Sequence, residues 1–188
     1  MTTKENSKEK LLKTASRLFQ LQGYHGTGLN QILKESGAPK GSLYYHFPDG
    51  KEQLAIESVQ LTAKFVTESI KNSLVKTTDP IKAIQNFITE MADRFNIEGC
   101  SGGVPIAAVA LETALISEPL RTACQLAYKN FQTVFTQKLL DSGFDKQRAE
   151  ELGIIINAMI EGAFLTSFTM GNNESLLLVA KSIPALLK

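Results

Sequence analysis

The side chains that could do chemistry cluster in one short stretch of the chain, after Pro39. They offer ammonium, hydroxyl and imidazole groups, with one glycine for close backbone approach, and they are Lys40, Gly41, Ser42, Tyr44, Tyr45, His46 and Lys51. Such donors bind the phosphates and base edges of DNA. Only Leu43 and Phe47, spaced i and i+4, can face a hydrophobic core. A helix with so few apolar anchors presents its polar side chains to a partner, and DNA suits them.

Two short helices joined by a tight turn would position this stretch. Thr27 is a good N-cap for the first helix, and Gly37 can adopt the positive φ that a sharp turn requires. Pro39 suits the first turn of the second helix, where its missing N–H costs nothing. Helices that cross over such a turn form a helix-turn-helix, whose second helix enters the DNA major groove. The alternative is an ordinary helical hairpin on the protein surface.

Residues that flank the two helices extend the predicted DNA surface. Thr27 precedes the first helix and is counted among the expected DNA contacts. Lys51 opens the helix that follows, so its ammonium and the free N–H groups of that turn can face a phosphate. His46 is expected to donate to a phosphate. Neither His46 nor His25 has a cysteine or carboxylate at ligand spacing, so we expect no metal site.

Three motifs occur in order along the first part of the chain: G-Y-H-G-T, I-L-K-E-S-G-A-P-K-G-S-L-Y-Y-H-F and K-E-Q-L. They resemble the DNA-binding domain of the TetR family of bacterial repressors over about the first 55 residues. The chain departs from the family at Pro48-Asp49-Gly50, because most members have two residues between Phe47 and Lys51. The longer turn, with P-I-A-A-V-A-L-E further on, is similar to the LmrA/YxaF-like branch. That resemblance implies multidrug or flavonoid-type inducers.

Length and charge place the DNA-binding part at the N-terminus. A chain of 188 residues forms one or two domains, and its net charge at pH 7 is +1. Residues 1–54 carry eight Lys or Arg against five Asp or Glu, whereas residues 55–188 carry twelve against fourteen. This asymmetry indicates that only the first part meets nucleic acid. We predict a helix-turn-helix DNA-binding domain over 1–54 and a ligand-binding and dimerisation domain over 55–188.

Cysteine usage and hydropathy favour a soluble, cytoplasmic protein. Cys100 and Cys124 show no C-x-x-C spacing, so both are expected to be reduced thiols. The N-terminus lacks the apolar region of a signal peptide. The longest apolar runs are shorter than the roughly 18 residues that a membrane span needs. We therefore predict no membrane partner, and we find no motif for a cofactor.

The hydrophobic pattern predicts an all-α fold with about nine helices. The first covers 7–22 with Gly23 as its C-cap, and a long helix over 51–74 connects the two domains. Asp79, followed by proline, gives a strong start to the next helix. The segment 104–116 is so apolar that we expect a helix buried on most sides.

One motif offers an enzyme as the alternative. Gly99-Cys100-Ser101-Gly102-Gly103 matches G-x-S-x-G, the nucleophile elbow of serine hydrolases. That elbow requires a preceding strand and a histidine base. The preceding segment is predicted to be helical, and His25 and His46 both belong to the DNA-binding part. We therefore predict no enzyme activity and interpret the glycines as a bend between two helices.

Phenylalanine and methionine recur in the helices after residue 60. Each can be explained by core packing, but as a set they also suit a pocket for a flat, apolar ligand. The candidates for ligand contact are Phe65, Phe87, Met91, Phe95, Phe131, Phe135, Met159 and Phe168. Asn157, Glu161 and Thr113 are polar groups that could orient such a ligand.

The last two helices are the predicted dimer interface. They carry small residues at Ala149, Gly153 and Asn157, which let helices approach closely. Two such helices from each of two chains would form a four-helix bundle, and packing within one chain is the alternative. The resemblance to TetR proteins, which dimerise through their last two helices, favours the homodimer.

Together these features predict a ligand-responsive transcriptional repressor. A homodimer would bind a palindromic double-stranded DNA operator and be released by a small apolar or aromatic effector, flavonoid- or drug-like. Such a ligand acts only through its different affinities for two states of the protein. The alternatives are a DNA-binding regulator without a small-molecule inducer, and a serine hydrolase that uses Ser101.

Overall fold

The computed structural model describes residues 6–95 and 105–188. Within these ranges the chain forms nine α-helices and no strand. The helices are α1 (Ser7–Gly26), α2 (Leu29–Ser36), α3 (Lys40–His46), α4 (Gly50–Leu74), α5 (Pro80–Arg94), α6 (Ala107–Thr113), α7 (Glu118–Asp141), α8 (Lys146–Met170) and α9 (Glu174–Leu186). The all-α prediction is therefore confirmed.

The described residues divide into two compact units that do not follow the linear order of the chain. The first unit holds those within Met1–Ala63 and Gly102–Ala127, and the second holds those within Lys64–Ser101 and Tyr128–Lys188. Helices α1, α2 and α3 thus share their unit with α6, which is distant in sequence. The predicted functional boundary after residue 54 stays a prediction.

Helix α1 begins with a side-chain cap and breaks near its end. The Asn6 side chain accepts a hydrogen bond from the Glu9 N–H at 2.9 Å, as an N-cap does. The buried face of α1 is formed by Leu11, Ala15, Leu18 and Phe19. Gly23 has a φ of 73°, in the left-handed region that favours glycine, and it interrupts the helix. The predicted end at Gly23 is thus a break, beyond which one more helical turn reaches Gly26.

The start of α2 differs from the prediction. Gly28, not Thr27, occupies the N-cap position, and no side chain caps this helix. The Thr27 hydroxyl instead donates to the Gly23 carbonyl oxygen at 2.8 Å. The end of α2 agrees with the prediction, because Gly37 adopts φ 64° and opens the turn toward α3.

Helix α6 is shorter and more exposed than predicted for 104–116. Its inward face consists of Ile106, Val109 and Thr113, spaced by three and four residues. Leu111 lies on the other side, with 77% of its surface exposed, and Leu115, just after the helix, is 98% exposed. The prediction of burial on most sides is wrong, because the segment contacts the rest of its unit through one helical face.

The second unit is held by helix contacts and by polar side chains that bond to backbone groups. Asp79 caps α5 by accepting from the Ile81 N–H at 2.9 Å, as predicted. Helix α5 packs against α9, and the Gln85 side chain donates to the Ala180 carbonyl at 3.0 Å. Gly153 of α8 lies so close to Thr136 of α7 that a Cβ would collide. That contact corresponds to packing within one chain, the alternative to a small-residue dimer face.

Helix α8 is, among the described helices, the one long and apolar enough to cross a membrane by length and composition. Part of its apolar surface forms the core of the second unit, through Leu152, Ile156 and Ile160. A core helix of a globular protein has the same composition as a membrane span, so this feature alone does not indicate a membrane.

Candidate nucleic-acid interface

Helix α3 presents its polar residues outward, as its sequence pattern predicts. Leu43 and Phe47 are fully buried, whereas Tyr44 and Tyr45 are 52% and 82% exposed. Lys40 and Gly41 are exposed at its first turn, and Ser42 and His46 are partly exposed. The helix therefore offers donors on one side and is fixed by two apolar anchors on the other. The contacts of these residues with DNA stay predictions.

The aromatic side chains at the end of α3 are ordered by contacts with each other. The His46 ring meets the Tyr45 ring edge-on, with centroids 4.9 Å apart. It also lies 6.4 Å from the Phe47 ring, again in an edge arrangement. Since Phe47 is buried, these contacts hold His46 against the core while Tyr45 remains exposed. A donor held this way loses little freedom on binding.

Helix α2 is fastened to α1 by charge. Arg17 of α1 forms an ion pair with Glu35 of α2, and Gln31 donates to the same carboxylate at 2.9 Å. The hydrogen bond from Gln31, followed by those from Arg17 and its charge, lowers the pKa of Glu35. The pair is exposed, so it contributes orientation more than stability.

Lys51 lies in the first turn of α4, where the sequence places it, but its ammonium has a partner within the protein. Its Nζ is 4.5 Å from the centroid of the Tyr24 ring, within the range of a cation–π interaction. Burial lowers the pKa of Lys51, and the negative charge of Glu112 opposes that shift. Contact of this ammonium with a phosphate would move it from the ring, and that contact stays a prediction.

Thr27 does not belong to the exposed surface. Its side chain is fully buried, and its hydroxyl is already bonded to the Gly23 carbonyl oxygen. The burial argues against the predicted contact between this side chain and DNA. Its position instead stabilises the connection between α1 and α2.

Two polar residues outside the helix-turn-helix contact its flanks and were missed by sequence analysis. The Glu112 carboxylate of α6 accepts from the His25 N–H at 2.6 Å. The Ser117 hydroxyl donates to Glu52 of α4 at 2.6 Å. Neither pair is close in sequence, so no local spacing could have indicated it.

The structure divides the eight predicted ligand contacts between core and surface. Phe87, Phe131 and Phe135 are buried, and the Phe87 and Phe135 rings lie 6.0 Å apart. Phe65 and Phe168 are exposed, with 62% of the Phe65 surface accessible. The remaining three, Met91, Phe95 and Met159, are partly exposed.

A cavity of about 320 Å³ lies in the second unit, and none of these eight residues lines it. It is lined by Lys71, Leu74, Val75, Thr133, Val134, Gln137, Lys138 and Asp141. Its mixture of ammonium, carboxylate and aliphatic groups differs from the aromatic pocket that the sequence predicted. Contact of the predicted residues with a ligand stays a prediction.

Two titratable groups outside the helix-turn-helix, Cys124 and Glu161, have shifted pKa values. Burial raises the pKa of the Cys124 thiol to about 11, so it is not a reactive thiolate at neutral pH. Burial also raises the pKa of Glu161 to about 7. Within 6–95 and 105–188 no three histidine, cysteine or acidic residues cluster as metal ligands. The proposed nucleophile elbow around Ser101, with Cys100, lies outside the described residues.

Comparisons with known proteins agree with this architecture. The family model described as bacterial regulatory proteins, tetR family, matches residues 11–57. The model described as transcriptional regulator LmrA/YxaF-like, C-terminal domain, matches residues 80–182. These families consist of transcriptional regulators, not enzymes.

Individual relatives and structures give the same result. The chain is 53% identical to the HTH-type transcriptional regulator YxaF of Bacillus subtilis (strain 168), covering 100% of this chain and 98% of YxaF. It is 51% identical to the HTH-type transcriptional regulator LmrA of the same strain, covering 97% of each. A TetR transcriptional regulator from Legionella pneumophila shares the fold, with a TM-score of 0.86 and 19% identity over 100% of each chain.

Proposed function

Because the chain belongs to the TetR family of bacterial transcriptional regulators, we propose that it is a repressor that a small aromatic effector releases from a palindromic operator. Regulators of this family bind DNA operators and act as dimers. The observation that carries the proposal is α3, a short helix whose Tyr44 and Tyr45 are exposed while Leu43 and Phe47 are fully buried. A helix exposed in this way fits the recognition helix of a helix-turn-helix.

The homodimer is supported by apolar side chains that remain exposed on the last two helices. Helices α8 and α9 pack together in the second unit. Their exposed apolar residues are Ile154, Ile155, Leu165, Phe168, Met170, Leu177 and Leu178. A face of this kind on two adjacent helices suits a second copy, which would form a four-helix bundle. Two protomers would place two α3 helices on the two halves of a palindrome.

An aromatic effector is supported by the partly exposed members of the predicted ligand set. Phe95 meets Phe164 edge-on at 5.9 Å, and Met91 and Met159 are also partly exposed. Flat rings and flexible thioethers accommodate apolar aromatic molecules. Phe87, Phe131 and Phe135 are better explained as core, since they are buried. Because these three rings belong to the core, fewer aromatic residues remain to contact a ligand. This favours the competing proposal, a regulator without a small-molecule inducer.

The test is a fluorescence-anisotropy titration of DNA from the flank of this protein's own gene. We expect tight binding to that fragment, weaker binding to a scrambled fragment, and two protomers per site by sedimentation. A flavonol should weaken binding by roughly 5- to 150-fold if effector and operator are coupled as in other allosteric proteins. Equal affinity for both fragments would overturn the proposal that the protein is an operator-specific repressor. If neither flavonols nor cationic dyes change the affinity, the result would favour a regulator without an inducer.

A further inference from the structure

Glu112 contacts the end of α1 from a position far away in the sequence. Its Oε2 accepts a hydrogen bond from the His25 N–H at 2.6 Å, across 87 residues. Its carboxylate also fills the space beside Gly23, where any Cβ would overlap it. Helices α1 and α6 pack together in the first unit. Gly23 and Glu112 are therefore fitted to each other.

The break at Gly23 explains why the His25 amide needs an acceptor from elsewhere. Residues 24–26 form a new helical turn after the break, and the first N–H groups of a turn have no carbonyl one turn earlier. An N-cap side chain normally fills that role. Here the Glu112 carboxylate supplies the acceptor, so it caps the turn that leads into α2.

The same residue also acts on the other flank of the helix-turn-helix. Lys51 follows α3 and rests on the Tyr24 ring at 4.5 Å. The Glu112 charge attracts the Lys51 ammonium in this half-buried site. Tyr24 and His25 precede α2, and Lys51 follows α3. The His25 amide is thus hydrogen-bonded to this carboxylate, and the Lys51 ammonium lies within range of its charge.

We propose that Glu112 is a positioning residue for DNA binding, which fixes the turn that enters the helix-turn-helix through its hydrogen bond to the His25 amide. The proposal rests on the proposed function. The hydrogen bond, not the negative charge, is the part that favours DNA, because a carboxylate near a phosphate repels it. Glutamine retains an acceptor oxygen at the same reach, whereas aspartate retains the charge but is one methylene too short.

These differences define the experiment. Glu112→Ala and Glu112→Asp should weaken binding to the operator fragment about tenfold, the effect of losing one hydrogen bond. Glu112→Gln should bind within about threefold of wild type. The matched control is Glu118→Ala, which removes the same charge from an exposed residue of the same unit. Melting temperatures of all four variants show whether each one folds.

A second measurement follows the contact without DNA. Hydrogen exchange at the His25 amide should accelerate in Glu112→Ala and Glu112→Asp, and remain slow in Glu112→Gln. Equal affinities of the alanine and glutamine variants, or unchanged exchange in Glu112→Ala, would overturn the positioning role. If wild type shows no preference for the operator fragment, the proposed function fails, and the exchange result still decides whether Glu112 fixes this turn.

Discussion

Helix α3 and the α5–α7 contact both carry aromatic side chains, but the fold uses them in opposite ways. Tyr44 and Tyr45 stand exposed on a helix of seven residues. Phe87 of α5 and Phe135 of α7 are buried and lie ring to ring. An exposed tyrosine ring contributes little to core packing, but its hydroxyl is available to bind a partner. A buried pair of phenylalanine rings instead stabilises the two helices that carry it. Substitutions should therefore separate binding from stability.

The largest expected effect is on the buried pair. Phe135→Ala should lower the free energy of unfolding by about 3–5 kcal/mol, because it leaves a cavity beside Phe87. The matched control is Phe65→Ala, at an exposed position, where a change below about 1 kcal/mol is expected. Chemical denaturation of both variants measures the difference. Similar losses of unfolding free energy in the two variants would show that solvent exposure does not predict which of these phenylalanines stabilises the fold.

Glu161 gives the second effect, because its burial opposes ionisation. Its pKa rises from 4.5 in the unfolded chain to about 7 in the fold, so the folded state holds the proton more tightly. Stability from this residue is fully present below about pH 4.5 and is lost as the pH rises toward 7. The loss amounts to roughly 3 kcal/mol. Glu161→Gln should remove this dependence in denaturation measured from pH 4.5 to 8.

If the difference in unfolding free energy between wild type and Glu161→Gln does not change with pH, burial does not raise the pKa of this carboxyl group. An exposed residue of the same helix, Glu150, provides the control. Glu150→Gln makes the same substitution at an exposed position and shows how much of the change is specific to Glu161.

Tyr44 gives the third effect, and it concerns binding rather than stability. Tyr44→Ala should reduce the discrimination between operator and scrambled DNA by about 1–3 kcal/mol, the range of one good base contact. The melting temperature should change little, since the side chain is half exposed. Its neighbour Leu43 is the contrast, because Leu43→Ala should lose stability through its buried site. A large loss of melting temperature in Tyr44→Ala would place that ring in the core.

The sequence predicted α3 well because few residues decide its orientation. With only Leu43 and Phe47 apolar, one arrangement alone buries both, and the exposed side follows. The long helices of the second unit carry many apolar residues, so periodicity cannot tell core from pocket there. This is why Phe87 and Phe65 looked alike in sequence and differ in the fold.

Other features depend on contacts that no local pattern encodes. Thr27 has the side chain of an N-cap, but the left-handed Gly23 brings a carbonyl within reach of its hydroxyl. Glu112 and His25 meet across 87 residues. The exposure of Leu111 in α6 also depends on which face meets α1. Sequence analysis could name the helices here but not their partners.

The smallest expected effect on DNA affinity is that of substituting Lys51. This substitution tests whether an ammonium that already contacts an aromatic ring of the protein can also contact a DNA phosphate. The ammonium rests on Tyr24, so leaving the ring offsets part of what a phosphate contact contributes. Lys51→Ala should weaken operator and scrambled DNA alike and reduce the slope of log affinity against log salt by about one. Lys129→Ala, at an exposed residue of the second unit, is the control. An unchanged slope would mean that Lys51 does not neutralise a phosphate in the complex.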